Sequence, residues 1–191
     1  MSPLSPFNLA RDLWILFGLY WLIAALKRKQ TKKRETWGQR LAYIAPLFLT
    51  WMLLFQSGLR RGWLEARLFP PSALADWTGL ALVAAGVALA FWARWHLGTN
   101  WSGTVTLKHD HELIRTGPYR AIRHPIYTAI LVALAGSMVQ LGEVRGVIAL
   151  AVAWLSFYVK ARREESFLKQ EFGEGFEAHA RNTGMFLPHF S

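Results

Sequence analysis

The chain contains no cysteine. Disulfides and thiolate metal sites are therefore excluded, while the redox compartment stays open. Acidic residues are scarce, with 12 Asp and Glu against 22 Lys and Arg, for a formal charge of +10. Two long stretches are almost free of charge. Leu41–Leu59 has none in 19 residues, and Trp77–Leu97 has one, Arg94, in 21. At about 1.5 Å rise per residue, each stretch crosses a hydrocarbon core of roughly 30 Å. Two such runs in 191 residues exclude an ordinary soluble domain. No internal repeat and no low-complexity segment is present.

What is there reads as a series of spans. Residues 1–8, with two prolines, lie at a surface. The first apolar run, Leu9–Leu26, has Arg11 and Asp12 near its start and the basic run KRKQTKKR after it. It lacks a basic leading region and a small-residue cleavage site, so it reads as a span and not as a cleaved signal peptide. Leu41–Leu59 is the second span, with Pro46 as a kink point. Pro70-Pro71 breaks the following loop. Trp77–Leu97 is the third span, in which Gly86 and Ala90, four apart, allow a neighbouring helix to approach closely. Ile126–Leu141 and Val147–Val159 are short apolar runs separated by Gly142–Gly146, which predicts a hairpin with a tight turn. From Lys160 the chain is polar but keeps a helical pattern. Phe167, Leu168, Phe172 and Phe176 form a stripe that packs this tail onto the membrane body, and Gly173 ends its helix. The expectation is an all-α integral membrane protein with five transmembrane helices. Residues 1–191 form one membrane domain: three spans in 9–97, a helical hairpin over 125–160, and a C-terminal helical tail.

Charge counting orients the spans. Lys27–Arg40, Gly98–His124 and Lys160–Ser191 hold seven, four and five Lys/Arg, while the opposite side holds five in all. The positive-inside rule places the amino terminus outside and the carboxyl terminus in the cytoplasm. The basic excess then reads as a topology determinant beside membrane lipids, with anionic-lipid contact as the second reading, and not as a nucleic-acid surface. Asn100-Trp101-Ser102 matches a glycosylation pattern but falls on the cytoplasmic side, so it reads as a chance match.

Chemistry concentrates in His111–Tyr127, HELIRTGPYRAIRHPIY. His109, His111, Arg115, Tyr119, Arg120, Arg123, His124 and Tyr127 lie just before or at a helix begun by Pro125, a residue favoured in a first turn. Amides free at a helix start can meet a carboxylate or phosphate. The alternative is a basic headgroup-level loop with aromatic anchors. A second cluster is Arg162-Arg163-Glu164-Glu165, just beyond the last span. Adjacent carboxylates need partners, for which Arg162, Arg163 and Arg123 are candidates; an ordinary solvated helix would instead pair Glu165 with Lys169. His96, His109, Asp110, His111 and His124 are conceivable metal ligands, but no pair sits at i, i+4 on a helix and there is no Cys, so no metal is expected.

His111-Glu-Leu-Ile-Arg-Thr-Gly-Pro-Tyr119, Arg123-His-Pro-Ile-Tyr127, Glu164-Glu165-Ser-Phe-Leu168, Phe172-Gly173 and Pro188, in this order, resemble the isoprenylcysteine carboxyl methyltransferase family. The resemblance is to its short prokaryotic members, themselves similar to phospholipid N-methyltransferases, and covers Trp95–Pro188. RHP alone is less specific, since membrane sterol reductases carry something similar. The resemblance implies a five-helix enzyme of a bacterial or archaeal inner or plasma membrane. It implies S-adenosylmethionine bound at the cytoplasmic interface and a catalytic part over residues 98–191, closed by the tail. It implies cofactor contacts from His111, Glu112, Leu113, Gly117, Pro118, Tyr119, Arg123, His124, Pro125, Tyr127, Glu164 and Glu165, with Arg123 and Glu165 at the chemistry. The acceptor would be a prenylcysteine-type carboxylate or related lipid. A phospholipid amine acceptor, an NADPH-dependent reductase of a lipid double bond, and a non-enzymatic lipid-binding protein are the alternatives. At His179 the chain departs from the family, whose tail often has aromatic residues where this chain has Phe176 and His179.

Overall fold

The computed structural model describes residues 4–26, 31–34, 36–56, 58, 62–98, 106–108 and 113–189. His109, Asp110, His111, Glu112 and Asn100–Ser102 lie outside the described residues. The elements in chain order are α1 (Pro6–Leu26), β1 (Thr31–Arg34), α2 (Trp37–Phe55), α3 (Ala73–Leu97), β2 (Thr106–Lys108), α4 (Pro125–Leu141), α5 (Val144–Phe172) and α6 (Glu174–Arg181). Short 3-10 turns occupy Gly62–Glu65 and Gly117–Arg120.

The apolar runs become helices, but two begin four residues earlier than lack of charge suggests. Thr36 and Gln39 form a capping box, with the Gln39 amide donating to Thr36 Oγ1 at 3.4 Å and the Thr36 amide to Gln39 Oε1 at 2.9 Å. Ser72 caps α3 by accepting from the Ala75 amide at 3.2 Å. Among the described residues, four helices are long and apolar enough to cross a membrane: α1 over Pro6–Ala24, α2, α3 and α5. α4, the shorter apolar helix, has 17 residues.

Contacts fix the directions. Thr50 Oγ1 donates to Ala149 O at 3.2 Å, and Ser156 Oγ donates to Tyr43 O at 2.8 Å, so α2 and α5 run antiparallel. α3 and α4 also run antiparallel and nearly touch. A Cβ on Gly86 would lie 2.5 Å from Ala129 O, and one on Gly136 would lie 2.5 Å from Gly79 O. The close approach expected at Gly86 and Ala90 is therefore present, and only small residues allow it. α1 runs parallel to α3. Arg94 Nη2 donates to Ala24 O at 3.2 Å at one end, while Gln140 Nε2 donates to both Pro6 O (3.2 Å) and Asp76 O (3.0 Å) at the other. Each helix thus reverses its predecessor. The ends of α1, α3 and α5 meet the starts of α2 and α4 at a single pole.

The membrane body is all-helical, but the expectation of an all-α chain needs one addition. β1 pairs antiparallel with β2 (Thr31 opposite Lys108, Lys33 opposite Leu107, Arg34 opposite Thr106), with an irregularity between Thr31 and Lys33. This ribbon ties the two basic loops together at the same pole.

The opposite pole holds a buried ion pair that sequence reading treated as loop charge. Arg145 Nε donates to Glu143 Oε2 at 2.6 Å, with both side chains nearly inaccessible. Arg145 Nη1 also donates to Leu53 O (2.8 Å) and Gln56 O (3.1 Å), carbonyls at the end of α2. Gly142, with φ of +62°, closes the tight turn expected between α4 and α5.

Candidate active site

Pro125 starts α4 as expected, and His124 is its N-cap. α5 passes beside that start without a break. The polar tail predicted from Lys160 is in fact the last three turns of α5, which carry Glu164 and Glu165 past the end of the apolar stretch. Both carboxylates turn toward α4. Arg123 Nε donates to Glu165 Oε1 at 2.7 Å. The His124 ring bridges the pair, with Nε2 3.3 Å from Glu165 Oε1 and Nδ1 3.5 Å from Glu164 Oε2. Tyr127 Oη donates to Glu164 Oε1 at 2.5 Å. Two negative charges are thereby set against Arg123 and a histidine.

Burial opposes a charge on His124, but the hydrogen bonds to Glu164 and Glu165 outweigh it and raise its pKa above the ordinary histidine value. The protonated ring can donate from both nitrogens to the two carboxylates. Arg123, among the candidate partners, is the one that pairs a member of the Glu pair; Arg163 instead donates to Gln39 O on α2. Lys169 pairs with Glu177 of α6 at 2.6 Å, not with Glu165.

Aromatic rings wall the cluster. His124 stacks on Tyr127 (5.4 Å between centroids, 3° between planes), and Tyr127 stacks on Phe157 (4.9 Å, 17°). Phe186 meets His124 from the tail at 6.2 Å. Burial, and then the Glu164 charge, raises the Tyr119 phenol far above its ordinary value, so it stays protonated beside the cluster.

The tail reaches back to this place. Gly173, at φ +50°, separates α5 from α6. Phe176 is buried, while Phe167, Leu168 and Phe172 are half-buried, so the stripe packs as its spacing predicts. Arg115 Nη2 donates to Gly175 O at 2.7 Å, and Arg123 Nη1 donates to Ala180 O at 3.1 Å and to Thr183 O. Beyond α6 the chain runs alongside residues 121–124. The Arg123 amide donates to Gly184 O (2.9 Å), the His124 amide to Met185 O (3.1 Å), and the Gly184 amide to Ala121 O (3.1 Å). Thr128 Oγ1 adds a bond to Phe186 O at 2.7 Å. These pairings change one expectation. The Arg123 and His124 amides bond to the tail and the Tyr127 and Thr128 amides to His124 O, so none of these four is free for an anion.

The structure therefore brings together Arg123, His124, Pro125, Tyr127, Glu164 and Glu165, with Tyr119 close by. Pro118 is buried and Leu113 half-buried in the approach to them. Gly117 plays a local part: its φ is +56°, and a Cβ there would lie 2.3 Å from the His96 ring, which itself meets Thr116 Oγ1 at 3.2 Å. Sequence reasoning missed Lys160. It is buried, with Nζ 5.0 Å from the Tyr43 ring centre and 5.1 Å from that of Tyr127. Its one signal in sequence is a lysine one helical turn before Glu164, at the end of an apolar run.

A helical membrane fold with a paired-carboxylate, His, Tyr and Arg cluster at one pole defines a class of membrane enzyme. The profile of the isoprenylcysteine carboxyl methyltransferase family matches residues 78–170. A protein of Oryza sativa subsp. indica named "Probable protein-S-isoprenylcysteine O-methyltransferase" is 31% identical over 130 residues, covering 65% of this chain and 68% of that one. The cobalt-zinc-cadmium resistance protein CzcN of Cupriavidus metallidurans is 35% identical over 114 residues, covering 59% and 50%. The solved structure of the eukaryotic intramembrane Ras methyltransferase ICMT has the same fold, with a TM-score of 0.56 at 20% identity. That match covers 82% of this chain, which spans about half (54%) of the larger protein. The chain belongs to the isoprenylcysteine carboxyl methyltransferase family, a family of methyltransferase enzymes.

Proposed function

We propose that the protein transfers a methyl group from S-adenosylmethionine to a lipophilic acceptor at the cytoplasmic face of a membrane. The observation that carries this reading is the convergence of Arg123, His124 and Tyr127 with Glu164 and Glu165 under the returning tail. The donor set fits the cofactor. Carboxylates accept hydrogen bonds from a ribose diol, the buried His124–Tyr127–Phe157 stack backs them, and the half-buried Phe186 ring beside His124 is an aromatic surface for an adenine. When bound, S-adenosylmethionine supplies a methyl carbon activated by a sulfonium.

Arg123 and His124 hold the two carboxylates in fixed directions, and the tail covers them against water. Positioning and exclusion of water supply most of the acceleration in an in-line displacement. Glu165 and Arg123 stand at the chemistry in this reading, with His111, Glu112, Leu113 and Gly117–Tyr119 as further cofactor contacts. An acceptor carboxylate attacks as an anion and needs no base. An amine would need one, for which His124 or Glu165 is the candidate. The reading takes a prenylcysteine-type carboxylate as acceptor, with a phospholipid amine as the alternative.

The alternating helix directions support five crossings, with α4 as the fifth. It is short, but its flanks are covered by neighbouring helices. The basic pole then faces the cytoplasm. Calorimetric titration of the detergent-purified protein with S-adenosylhomocysteine tests the reading. Binding is expected, and none up to millimolar concentration overturns it. Binding of NADPH in preference would select the reductase alternative. Mass spectrometry of lipids after incubation with a methyl-labelled cofactor identifies the acceptor.

A further inference from the structure

The ribbon of β1 and β2 is absent from the chemistry above, yet it joins the most basic loop of the chain to the segment that leads into the site. Six of the eight residues in 27–34 are Lys or Arg. β1 holds Lys32, Lys33 and Arg34, and pairing places Lys108 of β2 across from Thr31. Arg34 lies three residues before Trp37, so at about 3.5 Å per residue it stays within roughly 10 Å of the start of α2. That start is at headgroup depth. Trp37 is 76% exposed at the first turn of α2, the guanidinium of Arg40 lies 5.2 Å from its ring, and Trp95 near the end of α3 is 77% exposed. Exposed tryptophans at helix ends mark the interface of a membrane. The Arg34 end of the ribbon is thus held within about one Debye length, roughly 8 to 10 Å, of lipid phosphates.

We infer that the β1–β2 ribbon is a binding surface for anionic phospholipid headgroups, and that occupying it steadies the two paired strands. The inference rests on the membrane-spanning arrangement and not on methyl transfer. The occupant is a lipid because this strand of basic sequence lies between an apolar helix and the interfacial start of α2. The link to the site is covalent: five residues separate β2 from Ile114, and β2 is held in register by β1. A loop whose charges act only during membrane insertion would leave the purified protein indifferent to lipid charge.

The full chain is reconstituted in nanodiscs of phosphatidylcholine containing either none or about a third phosphatidylglycerol. Two readouts are taken: hydrogen exchange at the amides of 31–34 and 106–108, and the lipid retained after mild detergent extraction. Phosphatidylglycerol is expected to slow exchange in both strands about tenfold, and to be enriched severalfold over bulk in the retained lipid. The triple variant Lys32→Gln/Lys33→Gln/Arg34→Gln is expected to lose both effects. Salt at 1 M, where the Debye length falls to about 3 Å, is expected to abolish them in the unaltered protein, which keeps the test valid if the variant inserts poorly. Exchange and retained lipid that ignore phosphatidylglycerol overturn the inference. So does reversal by 10 mM inorganic phosphate at constant ionic strength, which would mark a free-phosphate site. S-adenosylhomocysteine binding in the same discs is a separate arm: its absence counts against the methyltransferase reading and leaves the lipid result standing.

Discussion

The Tyr127 hydroxyl donates to Glu164 Oε1 at 2.5 Å, joining the first turn of α4 to the extension of α5. The same ring stacks on His124 and on Phe157, so one side chain fixes both a carboxylate and the aromatic wall beside it. Tyr127→Phe keeps the wall and removes the donor. A charge-assisted hydrogen bond of this kind contributes about 1.5–3 kcal/mol. The variant is expected to melt earlier in detergent and to bind S-adenosylhomocysteine at least tenfold more weakly, read by thermal shift and calorimetry.

Arg123 sets Glu165 and the tail with one guanidinium, bonding to Glu165, Ala180 O and Thr183 O. Lysine offers a point charge and cannot reproduce the fork. Arg123→Lys and Arg123→Ala are therefore expected to behave alike, with about 1.5–3 kcal/mol lost per charged bond removed and weaker S-adenosylhomocysteine binding. Limited proteolysis should cut between Gly173 and Pro188 faster in both variants. Glu165→Ala should weaken the same binding, and a double-mutant cycle with Arg123→Ala should show strong coupling. Additive losses would show that the two residues act apart.

The histidine between the carboxylates sets a pH dependence of definite sign. The His124 pKa is raised in the folded protein, because its bonds to Glu164 and Glu165 outweigh desolvation. A raised pKa contributes stability that is fully present below the unfolded value, about 6.5, and is lost as pH rises through the folded value. Melting temperature in detergent should therefore fall as pH climbs above about 6.5. His124→Asn should be less stable at low pH and should flatten this slope. An unchanged slope in the variant would assign the pH dependence to another group.

The spans were legible because an absence of charge is a local property, and the start of α4 because Pro125 marks it. Helix starts at Trp37 and Ala73 were set by Thr36, Gln39 and Ser72, polar residues that a search for apolar runs passes over. The pairing of the Glu residues was not legible. Glu165 and Lys169 have helical spacing, but Arg123 and His124 arrive from 42 and 41 residues away in sequence and take the carboxylate first. The carbonyls of Ala180, Thr183, Gly184 and Met185 hold the tail, and backbone acceptors carry no sequence signal. Lys160 needed Tyr43 from α2, a residue that one-dimensional reading left inside an apolar run.

The contact between α3 and α4 offers a test away from the chemistry. Gly86 faces Ala129 O and Ala133, and Gly136 faces Gly79 O, all too close for a Cβ. Gly86→Ala or Gly136→Ala must separate two backbones, and overpacking of this kind costs typically about 1–3 kcal/mol. Both variants should melt earlier. Gly18→Ala, on α1, meets nothing within 4 Å and should leave the melting temperature unchanged or slightly raised. Equal behaviour of all three would mean that the helices do not approach as closely as described.

Glu143 and Arg145 lie at the pole away from the site, nearly inaccessible, and Arg145 also meets the last carbonyls of α2. Losing one partner of a buried ion pair costs about 3–5 kcal/mol. Arg145→Met is therefore expected to destabilise strongly, and Glu143→Gln by less, because an amide oxygen can still accept from the guanidinium. The double variant Glu143→Leu/Arg145→Met removes both charges and should recover much of the loss, since a buried pair and an apolar pair of similar volume often differ little. Arg145 lies about 20 residues before the Glu pair on one continuous helix, some 30 Å away at about 1.5 Å per residue. S-adenosylhomocysteine affinity in whatever folded fraction remains should thus be unchanged in all three variants. A loss of affinity beyond the loss of folded protein would show that the buried pair sets the position of α5 relative to α4, and so reaches the site from the far face.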